Sequence, residues 1–174
     1  IGWLEGALPP EQAQQLWQVL PHVLLQGRQD PLERLDAVAF GPGLGLGPEP
    51  GEKGLLEALQ GFSGLLLLDA DGLNRLASQG ASGPWLRGRQ GPTWITPHRA
   101  EFNRLFPELT DVPPLEAAAG AAAEGGAWVL LKGAHTVIAS PLGRRWQLLE
   151  SSPWAARAGL GDVLAGLSLI HISE

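Results

Sequence analysis

The chain has 174 residues with a formal charge of −6 at pH 7, and 44% of its residues are hydrophobic. These values suit one folded domain with a buried core, and the scattered Lys and Arg residues exclude a nucleic-acid partner that binds a basic surface. Cysteine is absent, which excludes disulfides and thiolate metal sites. Because no apolar run approaches the roughly 20 residues of a membrane span and no signal peptide opens the chain, we expect a cytoplasmic protein without a membrane partner.

Strands and helices are predicted to alternate along the chain. In order, the predicted elements are a helix at 10–20, a strand at 36–40, a helix at 52–59, a strand at 65–68, a helix at 72–78, a strand at 93–96, helices at 99–106 and 115–123, a strand at 128–131, a hairpin of 137–139 and 146–149, and a helix at 161–167. This alternation predicts an α/β fold with a doubly wound, mostly parallel sheet and helices on both faces. Ligands bind such sheets outside the carboxyl ends of the strands, where each polar motif below is found.

The most informative motif is Gly159-Leu160-Gly161-Asp162, at the start of the last predicted helix. The two glycines let the backbone approach a ligand closely, and the start of a helix presents free N–H groups to an anion. Phosphoryl transfer needs such a cradle, and Asp162 stands where a carboxylate could accept the proton of an attacking hydroxyl. The alternative is that Asp162 only caps a helix and the glycines form a turn.

A second glycine-rich run, Gly41-Pro42-Gly43-Leu44-Gly45, follows the first predicted strand. It does not match the dinucleotide fingerprint G-x-G-x-x-G, because Leu46 or Pro48 stands where the last glycine is required. A classical Rossmann site is therefore not predicted. Two hypotheses stay open for this run, which are a loop whose amides approach a substrate and an ordinary turn.

Three further motifs follow the other predicted strands, and each has a structural alternative. Asp69 and Asp71 could bind a metal, or form a strand-to-helix turn with Asp71 as the N-cap. His98 and Glu101 would share one helix face. His98 could bind substrate there and Glu101 could hold the water shell of Mg²⁺. The alternative is that both residues belong to an ordinary solvated helix face. Lys132 could pair with a phosphate, or be a surface lysine at the entry of the hairpin. The tryptophans are interpreted as core or interface residues.

The order of these motifs resembles that of the NAD(P)H-hydrate dehydratase family. The residues that carry the resemblance are 40–45, 69–74, 96–102, 131–139 and 161–166, within a stretch of 36–167. The resemblance implies a ribokinase-like fold, with residues 1–167 forming part of a domain that is truncated at both ends. Residues 168–174 are interpreted as a non-native tail, and the absence of Met indicates an internal start.

The resemblance also implies an activity, in which ATP or ADP, with Mg²⁺, phosphorylates the added hydroxyl of hydrated NADH or NADPH and phosphate then leaves. Asp162 would be the catalytic base. The hydrate would contact Gly43, Gly45, His98 and Asp162. The adenine nucleotide would bind Lys132, Gly133, Ala134, His135, Thr136 and Gly161. The phosphoryl group would be held by Gly159, Leu160 and Gly161. Glu101 would help to position Mg²⁺, and the intact protein would be a homo-oligomer.

The chain departs from the family pattern near its carboxyl end. The usual Thr-Gly-Gly-Thr-Gly-Asp run reads Arg157-Ala158-Gly159-Leu160-Gly161-Asp162, so both threonine hydroxyls are lost. The usual Asn-Pro-Gly reads Ser152-Pro153-Trp154, and Ala100 replaces a glycine. Two alternative functions therefore stay open, a small-molecule kinase on the same fold and a non-catalytic nucleotide-binding protein. We expect the chain by itself to be poorly stable or inactive.

Overall fold

The computed structural model describes residues 32, 35–45 and 52–148. The chain divides into two units, residues 1–34 and residues 35–174, and every element below belongs to the second. The predicted helices at 10–20 and 161–167 and the predicted tail at 168–174 lie outside the described residues. No helix within the described ranges is long and apolar enough to cross a membrane.

Six strands form a single sheet in which the strands lie in the order of the chain. They are β1 (Ala37–Phe40), β2 (Leu65–Leu68), β3 (Thr93–Ile95), β4 (Trp128–Leu131), β5 (Val137–Ala139) and β6 (Arg145–Gln147). Strands β1 to β4 are parallel, and β5 and β6 extend the sheet as an antiparallel hairpin. The helices between them are α1 (Glu52–Gly61), α2 (Ala70–Ser78), α3 (Ser82–Arg87), α4 (Arg99–Leu105) and α5 (Pro114–Gly125), with a short 3-10 helix at Pro107–Leu109.

The predicted mostly parallel sheet is confirmed, and every predicted strand and helix in the described ranges is found within two residues of its predicted ends. Helix α3 and the short 3-10 helix were not predicted. Gly83 and Pro84 favour a turn, but the first turn of a helix tolerates proline because its N–H groups have no partner within the helix. Local residue patterns therefore missed only short helices that contain turn-forming residues.

Strand β2 and helix α5 provide much of the core. All four leucines of β2 are buried, as expected for a strand with a parallel neighbour on either side. Helix α5 begins with Pro114 and ends before Gly126, which adopts the left-handed conformation with φ of 65°. Its inward-facing residues are fully buried alanines, and their small side chains let the helix lie close to β4 and β5.

Three tryptophans stack across the sheet. Trp94 and Trp128 are register partners on β3 and β4, and their ring centroids lie 4.8 Å apart with nearly parallel planes. The ring of Trp128 also stacks on Trp146 of β6 at 5.8 Å. Trp146 is 44% exposed, so this row of rings extends to the outer strand of the sheet. These three residues agree with the interpretation of the tryptophans as packing residues.

A half-buried arginine holds together the chain segments that lead into β2 and β3. The Arg89 guanidinium donates to the carbonyls of Leu59, Gln60, Phe62 and Gly64 and to the hydroxyl of Thr93. Burial lowers the pKa of Arg89 from its ordinary value, because the guanidinium is partly desolvated. One side chain thus satisfies the carbonyls at the end of α1 and in the loop that follows it.

We expect Arg89→Ala to lower the free energy of unfolding by about 2 to 4 kcal/mol, because it leaves several carbonyls without their donor. Urea denaturation followed by tryptophan fluorescence measures this change. The exposed Arg144, replaced by alanine, is the control, and its substitution should change stability by less than about 0.5 kcal/mol. Equal effects of the two substitutions would contradict a special role for Arg89.

Candidate functional site

Four of the sequence motifs meet at the carboxyl edge of the parallel strands. Hydrogen bonds between neighbouring main chains continue past the strand ends at this edge. The amide of Asp69 donates to Phe40 O at 3.1 Å, that of Thr96 to Leu68 O at 3.1 Å, and that of Lys132 to Pro97 O at 2.8 Å. The loops after β1, β2, β3 and β4 are therefore joined side by side. This is the edge at which such sheets bind ligands.

The end of β1 and the start of α2 approach each other at a distance that only glycine permits. A Cβ atom on Gly41 would lie 1.7 Å from the carbonyl oxygen of Asp69. A Cβ atom on Gly72 would lie 2.5 Å from the carbonyl oxygen of Phe40. Gly41 also has φ of 133°, which other residues rarely adopt. These two glycines let the loop after β1 lie directly against α2.

Asp69, rather than Asp71, caps helix α2. The helix begins at Ala70, and the carboxylate of Asp69 accepts from the Ala70 amide at 2.9 Å. The prediction of Asp71 as the N-cap is therefore wrong by two residues. The turn is tight, because Ala70 has φ of 46°, and it points the Asp69 carboxylate into the protein. Asp71 lies in the first turn of the helix, and its side chain contacts the glycine loop after β1.

Lys132 forms an ion pair with Asp69. Its Nζ lies 2.7 Å from Asp69 Oδ1, the Asp69 side chain is only 2% exposed, and the Lys132 side chain is 24% exposed. The alternative of a surface lysine is therefore wrong, because a buried carboxylate of this kind needs a charged or hydrogen-bonding partner. The ammonium has three N–H donors, so one contact with Asp69 leaves donors for a ligand.

His98 and Glu101 form a capping box at the start of α4. His98 Nδ1 accepts from the amides of Ala100 and Glu101 at 3.1 and 3.3 Å, and Glu101 Oε2 accepts from the His98 amide at 2.8 Å. His98 is thus the N-cap and Glu101 is the third residue of the helix, and their side chains meet on one side of the helix start, with His98 Nε2 3.3 Å from Glu101 Oε1. The His98 side chain is 53% exposed and Glu101 is buried.

The glycine run after β1 forms a turn that is held by α2. The Leu44 amide donates to Gly41 O at 3.2 Å, and Gly43 and Gly45 both have positive φ, at 72° and 79°. The Gly45 amide donates to Asp71 Oδ2 at 2.9 Å, so it already has an acceptor. Arg75 donates to the carbonyls of Leu44 and Gly45. Sequence analysis missed Arg75, although Asp71 and Arg75 are four residues apart and therefore lie on one helix face.

The stretch proposed for the nucleotide joins β4 to β5. Gly133, Ala134 and His135 are exposed, and the Thr136 hydroxyl donates to Gly133 O at 3.4 Å. An isolated parallel bridge pairs Lys132 with His98, so this loop begins beside the capping box. The other predicted site residues, Gly159 to Asp162, lie outside the described residues.

Glu101 is the residue predicted to help position Mg²⁺. Among residues 35–45 and 52–148, no three His, Asp or Glu side chains group in a way that could hold a metal ion. Glu101 Oε2 is occupied by the His98 amide. Its Oε1 lies 3.3 Å from His98 Nε2, so any contribution of Glu101 to Mg²⁺ would be through the waters that the ion commonly keeps.

The sequence of this chain is similar to those of a known family and of several curated proteins. The NAD(P)H-hydrate dehydratase family matches residues 2–171. The chain is 51% identical over 136 residues to the bifunctional NAD(P)H-hydrate repair enzyme Nnr of Synechocystis, and 48% identical over 137 residues to that of Gloeobacter violaceus. Each match covers 78% of the chain, which spans about a quarter of the length of these curated relatives (25% and 26%).

The chain is also similar to solved structures, one of which is named as a dehydratase of this family. An ADP/ATP-dependent NAD(P)H-hydrate dehydratase from Bacillus subtilis, co-crystallised with ATP/Mg²⁺ and soaked with CoA, is similar with a TM-score of 0.73 and 28% identity. The similarity covers 97% of this chain and 63% of that one. A ribokinase-like superfamily protein from Enterococcus faecalis has a TM-score of 0.80 at 22% identity over 98% of this chain and 60% of that one, which supports the ribokinase-like fold alone. Together with the motif order and the shared carboxyl edge, these similarities show that the chain belongs to the NAD(P)H-hydrate dehydratase family.

Proposed function

We propose that this chain is part of an enzyme that uses ATP or ADP to dehydrate hydrated NADH or NADPH. The observation that carries the proposal is that four family motifs meet at one edge of the sheet in a chain whose family match runs over residues 2–171. The Bacillus subtilis relative, a dehydratase crystallised with ATP/Mg²⁺, supports the choice of phosphoryl donor and metal. We also propose that the intact protein is a cytoplasmic homo-oligomer.

The residues of two loops act on the nucleotide and on the phosphoryl group that is transferred. Asp162 takes the proton of the added hydroxyl as the hydroxyl attacks the terminal phosphoryl group, and the amides of Gly159 to Gly161 hold that group. The loop from Lys132 to Thr136 contacts the nucleotide, and Gly161 also touches it. The bond from the terminal phosphorus to its bridging oxygen breaks, and the shortened nucleotide, ADP or AMP, leaves. The phosphate ester then loses phosphate together with a proton from the neighbouring carbon, which restores the double bond of NADH or NADPH.

The substrate and the metal contact the other loops of the edge. The exposed imidazole of His98 and the glycine loop, including Gly43 and Gly45, face the hydrate. Glu101 contacts the water shell of Mg²⁺, and the ion supplies positive charge to the transferred phosphoryl oxygens when it is bound. Because Glu101 is fixed by the His98 amide, its carboxylate is held in position before the ligands arrive.

The reaction itself is tested with the full-length gene product that carries this sequence. We expect hydrated NADH, Mg²⁺ and ATP or ADP to restore NADH absorbance, and we expect Asp162→Asn to lower the rate by about 100-fold or more, the range of a lost general base. Accumulation of a stable phosphoester would instead favour a kinase. Nucleotide binding without any turnover would favour the non-catalytic alternative, which is suggested by the changed residues Ser152, Trp154, Arg157 and Leu160.

Glu101 caps α4 and is proposed to contact the water shell of Mg²⁺, and two substitutions separate these functions. Glu101→Gln keeps a side-chain acceptor for the His98 amide but removes the charge, whereas Glu101→Ala removes both. We expect both variants to raise the Mg²⁺ concentration needed for half-maximal activity, by about tenfold if about 1.4 kcal/mol of ion binding is lost. Only Glu101→Ala should also lower the melting temperature. An unchanged Mg²⁺ requirement in Glu101→Gln would limit Glu101 to capping.

The effects of a Lys132 substitution and an Asp69 substitution on ATP binding can be compared to test whether the lysine contacts the nucleotide. We expect Lys132→Met and Asp69→Asn each to lower the free energy of unfolding by about 1 to 3 kcal/mol, because each breaks a largely buried pair. Calorimetric titration should give an ATP dissociation constant about tenfold higher in Lys132→Met and a smaller change in Asp69→Asn. Equal changes in both variants would mean that Lys132 acts only through its partner.

A further inference from the structure

Two side chains on one face of α2 hold the glycine loop that follows β1. Asp71 and Arg75 are one helical turn apart, and both point toward Leu44 and Gly45. Arg75 donates to Leu44 O at 2.8 Å and to Gly45 O at 3.2 Å. Asp71 Oδ2 accepts from the Gly45 amide at 2.9 Å. We call these two side chains the loop clamp.

The loop clamp fixes one peptide group at both of its polar ends. Leu44 O and the Gly45 N–H belong to the same peptide group, and the first accepts from Arg75 while the second donates to Asp71. Arg75 is only 7% exposed, so water competes little for its two contacts, whereas the hydrogen bond between Asp71 and the Gly45 amide is exposed. Hydrogen bonds that involve a charged partner are also stronger than neutral ones. The Leu44–Gly45 peptide is therefore held in a single orientation.

The neighbouring glycine is left open by this arrangement. Gly43 is exposed, and a Cβ atom built on it would have no atom within 4 Å. Within the described part of the chain, the Gly43 amide donates to no protein acceptor, whereas the amides of Leu44 and Gly45 both do. Gly43 is thus the position in this turn where a ligand can approach the backbone and receive a hydrogen bond.

We infer that Asp71 and Arg75 are positioning residues, which hold the Leu44–Gly45 peptide so that the Gly43 amide is presented as a donor to the substrate. This inference rests on the proposed function, because it assigns the open amide to the hydrated cofactor. Neither side chain touches the substrate. Their effect is to reduce the number of conformations that the glycine-rich loop can adopt before binding, which lowers the entropy lost on binding.

The test uses the full-length gene product with Arg75→Gln and Asp71→Ala. We expect each variant to raise KM for hydrated NADH about tenfold, to change kcat less than about threefold and to leave the ATP dissociation constant unchanged. Hydrogen exchange at the Gly45 amide should become at least about tenfold faster in both variants. Arg75→Lys and Asp71→Asn keep a donor and an acceptor, respectively, and should restore part of the KM.

Arg87 provides a matched control. It donates to the carbonyls of Ala123 and Glu124 at the end of α5, so it is also an arginine that binds two consecutive carbonyls. Arg87→Gln should lower the melting temperature without changing KM or Gly45 exchange. A rise in KM in this control comparable to that of Arg75→Gln would overturn the inference, because it would indicate a general loss of stability.

Two further outcomes are decisive. Faster Gly45 exchange with an unchanged KM for the hydrate would overturn the positioning role.

If the unaltered protein has no dehydratase activity, the proposed function fails, and Gly45 exchange then tests the loop clamp by itself. Exchange that stays slow in Arg75→Gln would overturn the loop clamp, and faster exchange would support it as a positioning device for another ligand. If Arg75→Gln is too unstable for the full-chain assay, Asp71→Ala provides the same comparison, because it removes the other contact of the loop clamp.

Discussion

The carboxyl edge of this sheet depends on Asp69. Its carboxylate is buried, caps the first amide of α2 and pairs with Lys132 at the end of β4. Its carbonyl oxygen lies against Gly41 so closely that no side chain fits there. One residue therefore joins the loops after β1, β2 and β4. A charge in such a buried position is stable only because a cation and an amide both contact it.

Arginine has a recurrent role in this chain as a donor to backbone carbonyls. Arg75, Arg87, Arg89 and Arg99 each contact two or more carbonyls of a loop or a helix end. The chain has 24 glycines and 15 prolines, so many of its connections are irregular and leave carbonyls without partners in helices or strands. The planar guanidinium, with five N–H groups, satisfies several of them at once.

Several family motifs at the edge have structural roles as well as proposed chemical ones. His98 and Glu101 form a capping box, Lys132 pairs with Asp69, and Asp71 holds Gly45. These contacts fix the side chains before any ligand binds, and a fixed group loses less entropy when it engages a ligand. A substitution at such a position changes both stability and binding. For that reason the tests of Glu101, Asp71 and Arg75 pair a variant that keeps the structural contact with one that removes it.

The sequence by itself determined the sheet, most helices and the location of the motifs at strand ends. The buried leucines of β2 and the alanines of α5 follow from local periodicity and small side chains, which act within one element. Tertiary structure alone decided that Asp69 rather than Asp71 is the cap, that Lys132 is paired, and that Arg75 reaches Leu44. The pair of Lys132 with Asp69 and the contact of Arg75 with Leu44 join residues 63 and 31 positions apart, and the alignment of the strands that brings them together is not encoded in any local pattern. The cap is a local contact, but the Asp69 carboxylate that makes it is held by the distant Lys132.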